Sequence, residues 1–179
     1  MRRTIVIGGG SWGSALAVAL RSGGGEATVL VRDEDSVRML ATGRCRQLGH
    51  LAAVDPIDAS TDPTILAEAG LILIVVPVSA TAAALEMVGR HNDTNAPVVL
   101  CAKGMAMRAK GAALMPELAG TMLPAHPAVI LSGPSFADEV MRGLPAAVVA
   151  AATDQQAVAL VQQAFAASQV RVYASGDPL

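Results

Sequence analysis

The sequence alternates between short apolar runs and longer stretches in which apolar residues recur at helical spacing. Short apolar runs of this kind are typical of strands that are buried on both faces. They predict strands at residues 3–7, 27–31, 71–76, 98–101, 128–131, 146–151 and 170–173. The stretches between them predict helices at about residues 11–21, 34–41, 62–69, 80–88, 109–119, 136–141 and 154–166, and residues 43–60 are expected to form one long irregular loop.

This order of elements predicts the fold class. Strands that are separated by helices pair in parallel, because a parallel return needs a crossover of about a dozen residues or more. We therefore expect an α/β fold, with a Rossmann-like, doubly wound and mostly parallel sheet and helices on both faces. The 179 residues are enough for one such domain. We place the domain at residues 1–175 and the start of a linker at residues 176–179.

A glycine-rich turn joins the first predicted strand to the first predicted helix. Residues 8–13 read GGGSWG, which matches the pattern G-x-G-x-x-G. In dinucleotide-binding folds the first glycine, here Gly8, permits a tight turn, Gly10 lets the backbone approach a pyrophosphate, and Gly13 lets the helix pack close to the strand. The amino end of the helix then offers N–H groups to the phosphates. The turn predicts a dinucleotide site, in which Trp12 either packs on the sheet or covers part of the dinucleotide.

Polar and turn-forming residues also follow the later strands, as PVS at 77–79, AKG at 102–104 and SGPS at 132–135. Ligands of open α/β sheets bind outside the carboxyl ends of the strands, so these segments are expected on one rim. Turn residues are common at any strand end. A lysine between a buried strand and a glycine is less common, and we predict that Lys103 contacts a ligand rather than serving as a solvated loop residue.

The end of the second predicted strand bears on the choice of cofactor. An acidic residue there accepts the 2′-hydroxyl of NAD, whereas an arginine suits the 2′-phosphate of NADP. The chain has Arg32 followed by Asp33, so both NAD and NADP stay open. Arg32 leaves the strand first, which favours acceptance of NADP, and Asp33 is equally well explained as the cap of the next helix.

Composition excludes several classes of protein. The net charge of −2 and four aromatic residues (two Phe, one Tyr, one Trp) give no basis for nucleic-acid binding. No apolar run approaches the roughly 18 residues of a membrane span. Cys45 and Cys101 have no paired or metal-type spacing and the three histidines are scattered, so we expect no metal site and a reduced, cytoplasmic setting.

Taken together, these motifs resemble the amino-terminal domain of bacterial NAD(P)-dependent sn-glycerol-3-phosphate dehydrogenase. The matching segments are GGGSWGSAL at 8–16, ILIVVPVS at 72–79, CAKGM at 101–105 and SGPSFADEVMRGLPAAVV at 132–149. The last two are the specific ones, because many unrelated dehydrogenases share the glycine turn.

The resemblance implies reduction of dihydroxyacetone phosphate to sn-glycerol 3-phosphate, which feeds glycerophospholipid synthesis. It implies that the cofactor, NAD or NADP, lies next to Ser11, Trp12, Arg32, Lys103 and Ala137. It implies that the substrate contacts Lys103, Gly133 and Ser135. A phosphorylated ketone requires a cation, hydroxyl groups and backbone N–H groups, and this set supplies them.

Members of this family continue into a helical substrate domain with the main catalytic lysine, so the resemblance implies that the chain is a truncated, inactive fragment. A homodimer of the full-length enzyme is a candidate assembly on which the sequence carries no signal. Two other functions stay open: a non-catalytic nucleotide-binding module that senses redox state or cofactor, and the cofactor domain of a related hydroxyacid or ketoacid reductase. The segment SGPSF at 132–136 argues against the second.

Overall fold

The computed structural model describes residues 3–49, 51, 54–108 and 111–178, over which strands and helices alternate. The strands are β1 (Arg3–Ile7), β2 (Ala27–Leu30), β3 (Ala59–Ser60), β4 (Ala69–Ile74), β5 (Val98–Leu100), β6 (Met105–Arg108), β7 (Gly111–Leu114), β8 (Ala128–Ser132), β9 (Ala146–Ala151) and β10 (Val170–Ser175). The α-helices are α1 (Ser11–Ser22), α2 (Glu34–Leu40), α3 (Val78–His91), α4 (Met115–Met122), α5 (Ala137–Met141) and α6 (Gln155–Phe165). Short 3-10 helices lie at Arg46–Leu48 and Pro63–Glu68.

Eight strands form one sheet in the order β10-β9-β8-β5-β4-β1-β2-β3. Neighbouring strands pair in parallel, except that β9 runs antiparallel to β8. The expectation of a Rossmann-like, mostly parallel sheet is therefore confirmed. β2 and β4 pair with opposite sides of β1, so the winding of the sheet reverses at β1. Ligands of open α/β sheets bind beside such a reversal, at the carboxyl ends of the strands.

Helices cover both faces of this sheet. One face packs against α1, α2, α5 and α6 through side chains such as Leu16 and Phe165, which are almost fully buried. The other face packs against α3 and α4 through side chains such as Leu85 and Leu118. Burial of apolar surface on both faces, at roughly 25 cal/mol per Å², is the main force that holds the strand ends in place. None of the helices in the described part of the chain is long and apolar enough to cross a membrane.

The prediction of a helix at residues 109–119 is wrong over its first part. There β6 and β7 form an antiparallel hairpin, and α4 begins only after it. The alanines of this stretch favour a helix, but Gly111 has a φ of +115°, which a helix does not allow. The start of α4 is marked by Pro116 in its first turn and by Glu117, whose Oε2 accepts a hydrogen bond from the backbone N–H of Leu114 at 3.0 Å.

Smaller differences concern the predicted loop at 43–60 and the predicted helix at 62–69. The loop contains the 3-10 helix Arg46–Leu48, and β3 near its end adds an edge strand to the sheet. The helix is of the 3-10 type, at Pro63–Glu68. Some positions named in the predictions lie outside the described residues. They are residues 1 and 2 of the predicted domain, the histidine at position 50, residues 109 and 110 of the predicted helix, and residue 179 of the predicted linker.

The turn between β1 and α1 is so tightly packed that a side chain on Gly8 or Gly13 would collide with backbone. Gly8 has a φ of +115°, and a Cβ atom there would lie 2.3 Å from the carbonyl oxygen of Val75 after β4. A Cβ atom on Gly13 would lie 1.9 Å from the carbonyl oxygen of Gly8. By contrast, nothing lies within 4 Å of a Cβ atom on Gly10. The turn is thus closed towards the sheet and open at Gly10.

We predict that Gly13→Ala lowers the free energy of unfolding by about 1–3 kcal/mol, because the methyl group collides with backbone that cannot move without shifting β1 against α1. Chemical denaturation measures the change. Gly10→Ala is the matched control and is expected to cost less than about 1 kcal/mol, as an alanine at a helix N-cap does. Equal losses in both variants would show that the contact between Gly13 and Gly8 does not stabilise the turn.

Candidate functional site

The predicted site residues lie at one edge of the sheet, where the parallel strands end. Gly8 follows β1, Arg32 follows β2 by two residues, and Lys103 follows β5 by three. Gly133 and Ser135 follow β8. Because β1, β2, β4, β5 and β8 all run in the same direction, these ends converge as expected from the strand order.

A cavity of about 280 Å³ opens at this edge, between the first turn of α1 and the segments that follow β5 and β8. Six residues predicted from the sequence line it, namely Ser11, Trp12, Lys103, Gly133, Ser135 and Ala137. Five further residues complete its wall, namely Cys101, Leu131, Ser132, Phe136 and Val148. Gly8, Gly10, Gly13 and Arg32 are not among the residues that line it: the three glycines belong to the turn and helix that adjoin Ser11, and Arg32 follows β2.

Lys103 is the charged residue among those that line the cavity. Its side chain is exposed, and Nζ donates a long hydrogen bond of 3.5 Å to the carbonyl oxygen of Gly133. That bond joins the segment after β5 to the segment after β8. The next residue, Gly104, has a φ of +129°, and the turn it makes leads directly into the β6–β7 hairpin. An ammonium group with a single weak partner is free to bind an anionic or polarised oxygen.

Gly133 lies where β8 and β9 approach each other closely. A Cβ atom at this position would lie 2.7 Å from the carbonyl oxygen of Ala147 and 2.9 Å from the Cα atom of Val148. The glycine is therefore required by the packing of β9. Its backbone is left accessible on the cavity side, next to Ser135.

Trp12 packs in the core and also lines the cavity, so its position is compatible with both roles that the sequence left open. Its side chain is partly buried and packs against the core on the α1 face of the sheet. The same side chain also lines the cavity. Packing fixes the indole, so that its cavity-facing surface is present before any ligand arrives.

Cys101 lies in the cavity wall, two residues before Lys103. Burial raises the pKa of the Cys101 thiol to about 12, because the thiolate form loses its hydration. The thiol is therefore protonated at neutral pH and acts as a small apolar wall residue.

The first turn of α1 has free backbone N–H groups. Gly10 is the N-cap residue in an extended conformation, with no side-chain hydrogen bond to the turn. Helix amino ends of this kind attract phosphate through their N–H groups and the positive end of the helix dipole. The open side of Gly10 leaves space for such a group to reach the backbone.

The end of β2 separates the roles of Arg32 and Asp33. Asp33 caps α2: its Oδ1 accepts from the backbone N–H of Ser36 at 2.8 Å, and its Oδ2 accepts from Ser36 Oγ at 3.0 Å. These hydrogen bonds hold the pKa of the Asp33 carboxyl below its usual value, with smaller contributions from the charges of Arg46 and Arg32. The helix-cap interpretation of Asp33 is therefore correct, and the side chain of Arg32 is exposed.

The residues missed by the sequence reasoning are of two kinds. Leu131 and Val148 are strand residues whose place in the wall depends on how β8 and β9 are paired, which a single sequence does not reveal. Ser132 and Phe136 belong to the segment SGPSFA, and Cys101 to the segment CAKGM, both of which the sequence analysis identifies as specific, so these three residues could have been included. The side chain of Phe136 is 68% exposed at the mouth of the cavity.

Among the residues that the structure describes, no group of three or more His, Cys, Asp or Glu side chains is placed to hold a metal ion. The cavity instead presents a lysine, hydroxyl groups and backbone of the kind that binds phosphorylated organic molecules.

Comparison with known proteins gives a family match over most of the chain. Residues 4–158 match the family described as NAD-dependent glycerol-3-phosphate dehydrogenase N-terminus. Glycerol-3-phosphate dehydrogenase [NAD(P)+] of Mesorhizobium japonicum is 38% identical over 98% of this chain and 51% of its own length. The enzyme of the same name from Beijerinckia indica is also 38% identical, over 98% of this chain and 53% of its own. The chain thus spans about half the length of these relatives.

Solved structures agree with this match. Glycerol-3-phosphate dehydrogenase of Coxiella burnetii superposes with a TM-score of 0.85 at 29% identity, over 97% of this chain and 54% of that one. The Plasmodium falciparum enzyme also gives a TM-score of 0.85, over 99% of this chain and 53% of its own, and at 18% identity it shows the shared fold alone. The glycine turn, the cavity at the strand ends and these matches lead to one conclusion: the chain belongs to the family of NAD-dependent glycerol-3-phosphate dehydrogenase amino-terminal domains.

Proposed function

We propose that this chain binds an NAD(P) dinucleotide and serves as the cofactor domain of an enzyme that interconverts dihydroxyacetone phosphate and sn-glycerol 3-phosphate. The observation that carries the proposal is the cavity that joins the first turn of α1 to Lys103 and Ser135. The names of the relatives support the substrate, since each is a glycerol-3-phosphate dehydrogenase.

The glycine turn fits the phosphates of a dinucleotide. Gly8 and Gly13 close the turn against the sheet, and Gly10 leaves its outer side open above the free N–H groups of α1. We assign the pyrophosphate to this position. The reactive end of the cofactor then belongs in the cavity beside Ser11, Trp12 and Ala137. When bound there, the nicotinamide supplies the hydride for reduction of the ketone.

Lys103, Gly133 and Ser135 are proposed to hold the substrate. The ammonium of Lys103 is placed to stabilise negative charge on the oxygen of the ketone as it becomes an alkoxide, and the Ser135 hydroxyl and the backbone near Gly133 offer further polar contacts. The Cys101 thiol, with a pKa of about 12, does not compete as an acid near neutral pH. We therefore assign Lys103 to positioning of the substrate and stabilisation of the alkoxide.

We further propose that residues 1–175 are the dinucleotide domain and that residues 176–179 lead towards a helical substrate domain with the main catalytic lysine. The roughly twofold greater length of the relatives supports this arrangement. In such an enzyme the product enters glycerophospholipid synthesis in the cytoplasm, and a homodimer is the assembly we propose to test first.

Dinucleotide binding is the first test of this function. Titration of NADH or NADPH into the chain is expected to change the fluorescence of Trp12, the single tryptophan, which lies on the phosphate turn. Gly10→Ala is expected to weaken binding about tenfold or more, because its methyl group occupies the approach of the pyrophosphate. The thermal unfolding midpoint serves as the control for folding. Saturable binding in calorimetry with the same affinity in both proteins would remove Gly10 from the site.

Lys103→Met is expected to lower kcat/KM for dihydroxyacetone phosphate by about 10²–10³-fold in a form of the protein that turns over, as loss of one charge-stabilising group does. Stability should change little, because the side chain is exposed. Lys103→Arg is expected to restore only part of the rate, since a planar guanidinium replaces a compact ammonium. A near-normal kcat/KM in Lys103→Met would exclude Lys103 from the reaction.

The 179-residue chain by itself is expected to bind the dinucleotide without measurable turnover. Lys103 is the one charged side chain in the described wall of the cavity, and the wall is open to water on the side of Phe136. Loss of a general acid costs about 10²–10⁴-fold in rate, and loss of substrate orientation adds to that. Oxidation of NADH or NADPH in the presence of dihydroxyacetone phosphate is the assay. Turnover at an ordinary enzymatic rate contradicts this prediction, and binding without turnover under every condition leaves the sensor function open.

A further inference from the structure

The eight-stranded sheet ends in two very different edge strands. β3 forms one edge and is two residues long. β10 forms the other edge and runs for six residues. An edge strand of this length carries a row of backbone N–H and C=O groups that face away from the sheet, and these groups can pair with a strand of another chain.

The backbone groups of β10 alternate between β9 and the open edge. The carbonyl oxygens of Gln169 and Ser175, at the two ends of the strand, accept hydrogen bonds from backbone N–H groups on the β9 side. Successive residues of a strand direct their backbone groups to opposite sides. The outer edge therefore belongs to the even-numbered residues Val170, Val172 and Ala174.

Side chains satisfy only part of this outer edge. Ser168 Oγ accepts from the N–H of Val170 at 3.1 Å, and Gln162 Nε2 donates to the carbonyl oxygen of Val172 at 3.0 Å. Among the described residues, nothing accepts from the N–H groups of Val172 and Ala174. A carbonyl oxygen has two lone pairs, so that of Val172 can accept from a further donor.

The side chains of β10 face two different environments. Those of Val170 and Val172 pack on the core on the α6 side of the sheet. Those of Arg171 and Tyr173 lie on the opposite face, where Tyr173 is 62% exposed beside Val149 of β9, which is 40% exposed. The core that α3 and α4 form on this face includes neither Val149 nor Tyr173.

Arg171 is an exposed cation without a counterion on its own chain. In the part of the chain that the structure describes, its guanidinium makes no hydrogen bond and no ion pair. Tyr173 lies two positions further on the same face of β10. The open edge thus presents a cation and an aromatic ring next to each other, and a guanidinium is attracted to the face of such a ring.

We propose that β10 pairs antiparallel with β10 of a second copy of this chain, so that the two sheets join across a twofold axis at Val172. The inference rests on the homodimer named in the proposed function and does not depend on the dinucleotide site. In this register Val172 lies opposite the partner's Val172, and Ala174 lies opposite the partner's Val170. The free N–H groups of Val172 and Ala174 then donate to the carbonyl oxygens of the partner's Val172 and Val170.

The same register makes the side chains self-complementary. Arg171 lies opposite the partner's Tyr173 in a non-hydrogen-bonded pair, the kind in which facing side chains approach most closely. The twofold axis repeats this contact, so each guanidinium meets a tyrosine ring. A register shifted by two residues loses both contacts, because it places either the two arginines or the two tyrosines opposite each other.

Sedimentation equilibrium of the 179-residue chain tests the assembly. We expect a species of twice the 18.1 kDa of one chain at about 10–100 μM protein. Ala174→Pro is expected to raise the dissociation constant of the dimer about tenfold or more, because it removes a donor from each copy and places the proline ring against the partner strand. Folding is expected to persist, since the lost N–H faces away from β9.

Ala174→Val is the matched control for this position. It keeps the N–H group and suits a strand, so it is expected to change the dissociation constant by less than about threefold. The thermal unfolding midpoint of both variants reports whether the domain itself stays folded.

Cysteine cross-linking measures the register directly. Chains with Arg171→Cys and chains with Tyr173→Cys are mixed and oxidised, and mass spectrometry identifies the products. Opposed residues of a non-hydrogen-bonded pair have Cα atoms about 4.5 Å apart, which a disulfide can bridge. We therefore expect covalent dimers that join one chain of each kind. Cys45 and Cys101 interfere little, because Cys45 is buried and burial raises the pKa of the Cys101 thiol to about 12.

Each cysteine variant alone is the control for the mixture. In the proposed register, like cysteines of the two copies lie diagonally, at about 7–8 Å, which is too far for a disulfide. Either variant alone is expected to give about tenfold less covalent dimer than the mixture. As much covalent dimer from one variant alone as from the mixture would place the axis elsewhere and overturn the proposal.

The remaining outcomes also decide. A chain that stays monomeric overturns the proposal, and so does a dimer that Ala174→Pro leaves equally tight. If Ala174→Pro does not fold, the cross-linking pattern decides. Dissociation in Ala174→Pro, retention in Ala174→Val and covalent dimers mainly in the mixture support the proposal.

Titration of NADH separates this proposal from the proposed function. β9 and β10 run away from the edge that holds the cavity, so Ala174→Pro is expected to bind NADH as the unaltered chain does. Failure of the unaltered chain to bind either dinucleotide contradicts the cofactor function and leaves the β10 interface standing. A monomeric chain that binds NADH contradicts the interface alone.

Discussion

The contact between Gly13 and the carbonyl oxygen of Gly8 is the constraint on which the rest of the site depends. A single methyl group at Gly13 would lie 1.9 Å from that oxygen, so α1 can approach β1 this closely only with glycine there. The approach brings the amino end of α1 over the carboxyl end of β1, where Gly8 lies against Val75 after β4. From there Trp12 reaches both the core and the cavity. This one backbone contact therefore decides where the phosphate turn and the cavity wall lie.

Much of the fold follows from the sequence, because buried parallel strands produce apolar runs whatever their neighbours are. The run at β4 reads AGLILI and is buried almost throughout, and its parallel pairing with β5 needs only a crossover helix, here α3, between them. The hairpin β6–β7 could not be predicted in the same way. Its alanines favour a helix locally, and its strand character depends on Gly111 and on the packing of Ala113 against the core, both of which are matters of tertiary structure.

The residues of the candidate site likewise fall into those that the sequence could predict and those that it could not. Ser11, Lys103 and Ser135 could be predicted because they follow strands, and the carboxyl ends of parallel strands meet without any knowledge of register. Leu131 and Val148 could not be predicted as wall residues, because they lie within strands rather than at strand ends. Their place in the wall depends on the antiparallel pairing of β9 with β8, which interrupts an otherwise parallel run of strands. A sequence without its fold gives no sign of such a pairing.

Lys103 lies between two hydrogen-bonded strands, β5 and β6, and this limits which sequence changes the segment can accept. β5 ends at Leu100 and β6 begins at Met105, so Lys103 lies on a tether of four residues that is held at both ends. The position of its Cα atom is set by chain length more than by side-chain identity. Apart from Gly104, whose φ of +129° favours glycine, exchanges of residue type on the tether alter chemistry at a fixed place. Insertion or deletion of one residue moves the ammonium by up to about 3.3–3.6 Å, which is further than a hydrogen bond can stretch. The number of residues between β5 and β6 is thus the quantity that this part of the architecture fixes.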